Sequence, residues 1–347
     1  MTGFPTNWKI MLTVFTICSN NYLAQAKTLG DSLQQHNPHY RFVIFLVDRL
    51  AEGVDYQFFA PYELIPVEQI GIDGFDEMVS KYNITELNTA VKPFCFEFLF
   101  ARDGSVEAII YLDPDILAYE PFTELDALLQ ENNIILTPHW FTPIYDDCVP
   151  SEQGGHNAGL YNLGFIGVKR SEESQKFLEW WMIKLKDLCF VAVDKGLFVD
   201  QIWLNYAPLY YDKVAIIRHL GYNIAYWNFH ERGVDKKDGR WFVNGHFPLK
   251  FFHFSGYTFD KPGVISKYQN RFTFESKRDI RPLFEHYHSL VIQNRYEQLS
   301  RIPCYYVGIR NKIVEAQQRE VRKQNRMLRR IARYAKRKIV AVTNNKS

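Results

Sequence analysis

The chain has 347 residues, 47% of them hydrophobic and 16% aromatic, which excludes a disordered protein and predicts one large domain or two smaller ones. Its five cysteines include no C-x-x-C pair, so neither a disulfide framework nor a zinc site is indicated, and a reducing compartment fits. The net charge is +2, but residues 319–338 carry ten Lys or Arg and one Glu, so a basic tail follows a mildly acidic body.

The first half of the chain alternates predicted strands and helices. MLTVFTIC is typical of a β-strand, and the apolar spacing of residues 22–36 predicts a helix after it. RFVIFLVD is a continuous apolar run of strand length, as expected where both faces of a sheet are covered. A helix is predicted over residues 86–101, with Pro93 near its first turn, before the apolar strand VEAIIYL.

The second half of the chain continues this alternation. Helices are predicted to begin beside Thr123 and Ser171, with these residues as N-caps. Strands are predicted at NNIILTPHW, KVAIIR, NIAYWN and LKFFHFSG. A further strand is predicted at YNLGFIGVKR, where the small residues would face a close neighbour. The pattern predicts an α/β fold with a mainly parallel sheet flanked by helices and a helical extension at the C-terminus.

Two aspartates, Asp113 and Asp115, follow directly after the predicted strand VEAIIYL. Side chains two residues apart in an extended segment point the same way, and Pro114 favours that conformation. The carboxyl end of a strand is where open α/β sheets bind ligands. The pair therefore predicts a site for a hard divalent cation, and the alternative is a solvated loop whose aspartates cap the following turn.

A second candidate group lies in KFFHFSGYTFDKPG. His253 ends an aromatic strand and supplies an imidazole, a suitable third ligand for a metal such as Mn²⁺ beside two carboxylates. Gly256 would let the backbone approach a ligand, and Lys261 would contact phosphate oxygens. The alternative for His253 is an ordinary core residue.

Three further segments have both a functional and a structural interpretation. Asp200 and Gln201 either hydrogen-bond to sugar hydroxyls or begin a helix, with the aspartate as its N-cap. Asn21 and Tyr22, in the loop SNNY after the first strand, either contact a nucleobase or only cap a helix. Lys92 either faces a phosphate or is a surface lysine on a helix.

The order of these motifs resembles the retaining nucleotide-sugar glycosyltransferases of the GT-A fold, the glycogenin and lipooligosaccharide galactosyltransferase type of glycosyltransferase family 8. The resemblance covers residues 10–265 and rests on five motifs: TVFTICSNNY, the D-x-D pair of Asp113 and Asp115, YNLGFIGVK, VDQIWLN and HFSGYTFDKPG. The sequence departs from the family in a longer spacing from Gly256 to Lys261, in Gly263 where Trp is usual, and in Ser19 where the first loop usually has an acid.

The resemblance implies a metal-dependent transfer of a hexose from a UDP-sugar to a glycan or glycolipid hydroxyl, with retention, in surface polysaccharide or glycoconjugate synthesis. It implies Mn²⁺ or Mg²⁺ on Asp113, Asp115 and His253, with Asp200 and Gln201 at the reacting sugar. The resemblance places Asn162 near the donor sugar, and an alternative alignment of the same motif would use Asn157 instead. A sugar nucleotidyltransferase and a non-catalytic carbohydrate-binding protein are the alternative functions. The implied donor-binding residues are Thr16, Asn20, Asn21, Tyr22, Lys92, Asp113, Asn162, Gly256 and Lys261.

Three regions are predicted: a transferase domain over residues 1–265, an elaboration on the acceptor side over residues 266–310, and a basic helix over residues 311–347. One face of this helix is apolar and the rest is basic, which suits an anionic membrane surface through residues 319–338. A solvated helix and a protein contact are the alternatives. Nucleic acid is not expected as a partner. We expect a cytoplasmic protein that meets the inner face of the membrane if this helix binds lipid.

Overall fold

The computed structural model describes residues 12–344, and their side chains as far as residue 333. The strands are β1 (Leu12–Cys18), β2 (Arg41–Leu46), β3 (Glu63–Pro66), β4 (Ala108–Leu112), β5 (Ile116–Ala118), β6 (Ile134–Pro138), β7 (Tyr161–Lys169), β8 (Val191–Ala192), β9 (Leu197–Phe198), β10 (Val214–Ile216), β11 (Val234–Lys237), β12 (Arg240–Val243), β13 (Phe247–Pro248) and β14 (Phe251–His253). The helices are α1 (Leu23–His36), α2 (Phe75–Lys81), α3 (Ile84–Ala90), α4 (Lys92–Arg102), α5 (Thr123–Glu131), α6 (Glu152–Ala158), α7 (Glu172–Leu188), α8 (Ala207–Tyr210), α9 (Arg281–Gln293), α10 (Tyr296–Leu299) and α11 (Tyr305–Asn344). Short 3-10 helices cover Asn20–Tyr22, Tyr56–Phe59, Val67–Ile70, Val193–Lys195, Gln201–Tyr206, Tyr226–Asn228 and Arg278–Ile280.

The central sheet has the strand order β10-β6-β7-β4-β1-β2-β3. β7 runs antiparallel to both of its neighbours, and the other neighbouring pairs in this sheet are parallel. The predicted α/β fold is therefore confirmed: a mainly parallel sheet flanked by helices, with a helical C-terminal segment. None of the five cysteines forms a disulfide.

Both faces of the sheet are covered, which explains the continuous apolar runs in the sequence. Val14 and Phe15 are adjacent in β1 and point to opposite faces, yet both are fully buried. Val14 belongs to the core beneath α1 and α5, whereas Phe15 belongs to the core beneath α4 and α7. The Phe15 ring packs edge-on against Phe45 and Phe96, at 5.5 and 4.8 Å between ring centroids.

One predicted helix is in fact two. The segment over residues 86–101 divides into α3 and α4 at Val91, because Pro93 has no N–H to donate and can only stand in the first turn of a helix. Asn83 caps α3: its side-chain oxygen accepts from the Glu86 backbone N–H, and its own backbone N–H donates to the Glu86 carboxylate, which completes a capping box.

Two other local predictions are wrong, and one is confirmed. The N-cap of α5 is Phe122 rather than Thr123, and the Phe122 N–H donates to Asn37 Oδ1 (2.8 Å). NIAYWN forms only an isolated bridge and a 3-10 turn, because the Asn228 side chain accepts from the Ala225 N–H and closes the turn. Ser171 caps α7 as predicted, by accepting from the backbone N–H of Ser174.

The C-terminal segment packs against the sheet domain before α11 extends away from that domain. The Asn294 side chain donates to Thr28 of α1 (2.8 Å), and the N–H of Tyr305 donates to Asp48 Oδ1 (2.8 Å). Beyond this start, α11 is exposed over residues 315–333. Within the described part of the chain, none of the helices combines the length and the apolar character that a membrane crossing requires.

Candidate active site

An acidic turn at the end of β4 meets the last residue of β14. β5 pairs antiparallel with β14, so that His253 lies opposite Ile116, next in sequence to Asp115. The imidazole Nε2 of His253 lies 3.0 Å from Asp115 Oδ1 and 3.5 Å from Asp113 Oδ2. One ligand atom from each of these residues lies within 4.8 Å of the other two. The predicted convergence of two carboxylates and a distant histidine is therefore present.

The position of the imidazole is set by Gly164 of β7 and by Trp227. A Cβ on Gly164 would lie 2.7 Å from His253 Nδ1, so only glycine leaves room for the ring. The Trp227 ring meets the imidazole edge-on, at 5.2 Å between centroids. The small residues of YNLGFIGVKR predicted a close neighbour, and that neighbour is His253, which is 3% exposed.

The charges of this cluster are poorly balanced. Burial raises the pKa of Asp113, the charge of Asp115 raises it further, and His253 and Lys92 offset only part of the shift. Burial lowers the pKa of His253, but the carboxylates of Asp115 and Asp113 outweigh burial and raise it above its usual value. Two crowded carboxylates with an imidazole favour a bound cation, because a divalent ion relieves their repulsion.

The donor set fits a hard or borderline divalent metal. Two carboxylate groups and one imidazole suit Mn²⁺ or Mg²⁺ better than a thiolate-binding ion. Asp113 and Asp115 are only partly buried, so their outer sides face a cleft. We call Asp113, Asp115 and His253 the acid–histidine cluster.

A buried ion pair lies beneath the acid–histidine cluster. The ammonium group of Lys92, at the start of α4, contacts Asp200 and donates to the carbonyl oxygen of Leu163 (2.8 Å). Lys92 is 1% exposed, so it is not the surface lysine of the alternative interpretation. Asp200 stands at the N-cap position of the 3-10 helix Gln201–Tyr206, as the alternative interpretation expects, but its side chain makes no capping hydrogen bond there. Burial raises the pKa of Asp200, and Lys92 opposes the shift.

Tyr111 connects this ion pair to the acid–histidine cluster. Its hydroxyl donates to Asp113 Oδ1, and the Lys92 ammonium lies 4.1 Å from the centre of its ring. Tyr111 was not predicted as a site residue, because a tyrosine in an apolar strand is ordinarily a core residue. Its place two residues before Asp113 on the same side of the strand was the available signal.

The cleft beside the acid–histidine cluster has a volume of about 430 Å³. One wall is the loop after β1, and the other is formed by residues 254–260 and by side chains from the C-terminal elaboration. Predicted site residues that line it are Asn21, Tyr22, Asp113, Asp115 and Gly256. Predicted site residues outside its lining are Thr16, Asn20, Lys92, Asn162, Asp200, Gln201, His253 and Lys261.

Several of these outer residues have structural partners. The amide of Asn20 donates to Arg49 O (2.8 Å) and accepts from the Tyr56 hydroxyl (2.6 Å), which fixes the loop after β1. Thr16 is fully buried within β1. Gln201 donates from its side chain to the carbonyl oxygen of Ala158 (2.8 Å).

Asn162 and Lys261 lie in contrasting environments. Asn162 is buried at the start of β7, where its side-chain oxygen accepts from the Gly164 N–H (3.2 Å) and from Asn223 Nδ2 (3.1 Å). Lys261 is exposed in the turn that follows Gly256. The alternative Asn157 lies in α6, outside the cleft lining.

Comparison with known proteins gives only distant similarities. No family model matches the chain. The uncharacterized protein YfnF of Bacillus subtilis (strain 168) is 27% identical over 250 residues, which cover 70% of this chain and 80% of YfnF. YfnD of the same strain is 24% identical over 256 residues, which cover 70% of this chain and 77% of YfnD.

The solved structures that resemble the chain include two glycosyltransferases. GlyE of Streptococcus pneumoniae TIGR4 aligns at 18% identity with a TM-score of 0.46, over 85% of this chain, which spans only 65% of GlyE. The galactosyltransferase LgtC, in complex with donor and acceptor sugar analogs, aligns at 15% identity with a TM-score of 0.48, over 84% of this chain and 97% of LgtC.

Proposed function

We propose that this chain is a metal-dependent glycosyltransferase that moves a hexose from a UDP-sugar to a hydroxyl of a glycan or glycolipid, in surface polysaccharide or glycoconjugate synthesis. The observation that carries the proposal is the acid–histidine cluster at the edge of a cleft that Asn21 and Tyr22 also line. An aromatic ring and an amide suit a nucleobase, and a metal-binding cluster beside them suits the diphosphate that follows it.

The acid–histidine cluster would hold Mn²⁺ or Mg²⁺, and the ion would neutralise the negative charge that develops on the departing diphosphate. Tyr111 holds Asp113 in place through its hydroxyl, and Gly164 leaves the room that His253 occupies. Gly256 lines the cleft with backbone and no side chain, so the chain can approach a ligand closely there.

We propose that Asp200 and Gln201 lie next to the reacting sugar when the donor is bound, with Asn162 nearby; in the structure all three are buried just outside the lining of the cleft. Asp200 is paired with the Lys92 ammonium, and a carboxylate held in this way is a weak nucleophile. This pairing supports attack by the acceptor on the same face that the diphosphate leaves, with retention of configuration. The acceptor oxygen bonds to the anomeric carbon as the bond to UDP breaks, and the hydroxyl proton passes to the departing phosphate.

The two alternative functions would require different features from those of the cleft. A sugar nucleotidyltransferase would form a nucleotide sugar and pyrophosphate, and it usually has a Gly-rich basic loop after the first strand. Here that loop is SNNYLAQAK, and it lines the cleft with Ser19, Asn21, Tyr22 and Gln25. A non-catalytic carbohydrate-binding protein would have no use for the acid–histidine cluster.

Release of UDP from a panel of nucleotide sugars tests the proposal. We expect slow UDP release from UDP-hexoses that requires Mn²⁺ or Mg²⁺, is abolished by a chelator and is lost in Asp115→Ala. Asp260→Ala is the matched control, because Asp260 lines the same cleft outside the acid–histidine cluster. Release that is independent of metal, or a clear preference for GDP- or CMP-linked donors, would contradict the proposal.

We also propose that α11 brings the active site to an anionic membrane surface. Met327, Leu328 and Ile331 are more than half exposed among basic residues, as expected for a helix that lies on lipid. Ala335 and Ile339, which continue the predicted apolar face, have side chains outside the described residues. The chain should sediment with vesicles that contain phosphatidylserine and not with phosphatidylcholine alone, and deletion of residues 319–347 should abolish sedimentation. Equal binding to both vesicles would contradict this role.

A further inference from the structure

One wall of the cleft carries a basic residue, Lys267, that belongs to none of the predicted site motifs. Among the described residues that line the cleft, Lys267 is the one with a cationic side chain. Asp113, Asp115 and Asp260 line the same cleft, so its lining is otherwise acidic or neutral. A nucleoside diphosphate carries several negative charges, and a cationic side chain stabilises them alongside a metal ion.

The backbone of Lys267 is held against Gly256, three residues after His253. The Lys267 N–H donates to the carbonyl oxygen of Gly256 (3.0 Å), and the Tyr268 N–H donates to Ser266 Oγ (3.2 Å). Gly256 has a φ of +72°, and a Cβ there would lie 2.5 Å from the Tyr268 ring. The glycine therefore has a second use, because it lets the segment 266–268 approach the cleft closely.

Arg271 anchors this segment from the other side. Its guanidinium makes a two-point contact with the Asp146 carboxylate, at 2.8 Å from Nε to Oδ2 and 2.8 Å from Nη2 to Oδ1. It also donates to the carbonyl oxygen of Pro150 (2.7 Å), and its side chain is 6% exposed. Lys267 thus extends from a firmly held stretch of backbone.

The ammonium group of Lys267 is available to a ligand. The side chain is exposed on the cleft, and its nitrogen lies 5.0 Å from the centre of the neighbouring Tyr268 ring. Lys261 lies instead in an exposed turn, where its N–H bonds to Thr258 O (3.2 Å) and its carbonyl accepts from Val264 (3.0 Å). Lys261 is not among the residues that line the cleft.

We propose that Lys267, and not Lys261, binds the diphosphate of the nucleotide donor. An ammonium group binds phosphate oxygens as a compact positive charge, and the backbone hydrogen bond to Gly256 holds Lys267 on the cleft that Asp113 and Asp115 also line. The inference rests on the proposed function. It assigns residues 266–268 of the C-terminal elaboration to the donor side of the cleft.

Calorimetric titration of UDP and of uridine, each with saturating Mn²⁺, tests this assignment. Lys267→Met keeps the aliphatic length and removes the charge, so it should weaken UDP binding by about tenfold or more and leave uridine binding within about twofold. Lys267→Arg should restore most of the UDP affinity. Lys261→Met is the matched control and should bind UDP as the wild type does. Unchanged melting temperatures establish that each variant is folded.

Three other results would overturn the assignment of Lys267, and each points to a different explanation. Loss of UDP affinity in Lys261→Met with normal binding in Lys267→Met would give the role to Lys261. Equal losses for UDP and uridine in Lys267→Met would make the residue part of the wall and not a diphosphate ligand. A wild-type chain that binds Mn²⁺ but not UDP would overturn the proposed function, and this inference with it.

Discussion

Tyr111 is the residue through which the buried ion pair and the acid–histidine cluster are joined. Its hydroxyl donates to Asp113, and its ring lies beneath the ammonium group of Lys92. The hydrogen bond restrains the carboxylate that the metal would use, which is the arrangement expected of a group that supports a metal ligand without touching the metal.

Tyr111→Phe removes that hydrogen bond and keeps the ring. We expect Mn²⁺ affinity to fall by about 10- to 100-fold, because loss of such a supporting contact leaves the ligand free to rotate. Tyr119→Phe is the matched control, since the Tyr119 hydroxyl is buried without a hydrogen-bond partner among the described residues. Calorimetric titration with Mn²⁺ measures the effect, and equal affinities for the two variants would contradict the role of Tyr111.

Single residues of the cluster could be predicted from the sequence where the chemistry is unusual for their position. Two aspartates around a proline after an apolar strand, and a histidine beside a glycine, stand out against ordinary strand ends. Tyr111 and Gly164 do not stand out, because their roles depend on contacts between strands that are far apart in sequence. The pairing of Lys92 with Asp200, 108 positions later, was equally out of reach.

At the level of secondary-structure elements, β7 supplies the surface on which β14 places its histidine. β7 is the antiparallel strand of the central sheet, and it carries Gly164 and Gly167 three positions apart. A Cβ at Gly164 would lie 2.7 Å from His253 Nδ1, whereas a Cβ at Gly167 would lie 3.3 Å from a methyl group of Leu129. The two glycines thus offer a matched comparison.

Gly164→Ala should displace the imidazole and weaken Mn²⁺ binding by about tenfold or more, since a metal ligand must be held close to its productive position. Gly167→Ala meets a flexible side chain and should leave Mn²⁺ affinity unchanged. Both variants can be titrated with Mn²⁺ after their melting temperatures are compared. Normal Mn²⁺ affinity in Gly164→Ala would contradict the proposed ligand role of His253.

The Lys92–Asp200 pair ties α4 to the 3-10 helix that begins at Gln201. Lys92→Met leaves a buried carboxylate without its partner and should lower the free energy of unfolding by about 3–5 kcal/mol in urea. Lys92→Met combined with Asp200→Asn should cost less than the sum of the single changes. Lys81→Met, which breaks the exposed pair with Asp187, should cost less than about 1 kcal/mol. Similar losses in Lys92→Met and Lys81→Met would contradict this account.

The order of elements was predictable where apolar runs are long, and less so where local chemistry decides. The buried strands and α1, α7 and α11 follow the period of their sequences. The break at Val91 follows from Pro93, but its position depends on the capping box of α3. NIAYWN has the composition of a strand, and the side chain of Asn228 folds it into a turn instead.

At the scale of the whole molecule, the C-terminal elaboration helps to build the cleft. Lys267, Tyr268, Tyr287 and Tyr296 line it together with residues of the loop after β1. Residues 266–310 have no strong periodic pattern, because they pack through aromatic contacts and side-chain hydrogen bonds with segments that are distant in sequence. Stability and site formation should therefore be coupled across the chain.

His139 should make the free energy of unfolding depend on pH. Burial lowers its pKa from 6.5 to about 4, so in this window the unfolded chain takes up a proton that the folded chain does not. Stability should fall by about 3 kcal/mol as the pH drops from 6.5 to 4. Urea unfolding of His139→Gln should show a flatter pH profile, and His156→Gln, at an exposed position, should behave as the wild type. Identical profiles for His139→Gln and the wild type would contradict this assignment.

Binding of Mn²⁺, followed by electron paramagnetic resonance of the free ion, tests the central claim most directly. The acid–histidine cluster should give the wild type one site, and Asp115→Ala and His253→Ala should each weaken it by about 100-fold or more, because each removes a ligand. Asp260→Ala should bind Mn²⁺ as the wild type does. Wild-type affinity in both Asp115→Ala and His253→Ala would contradict the claim.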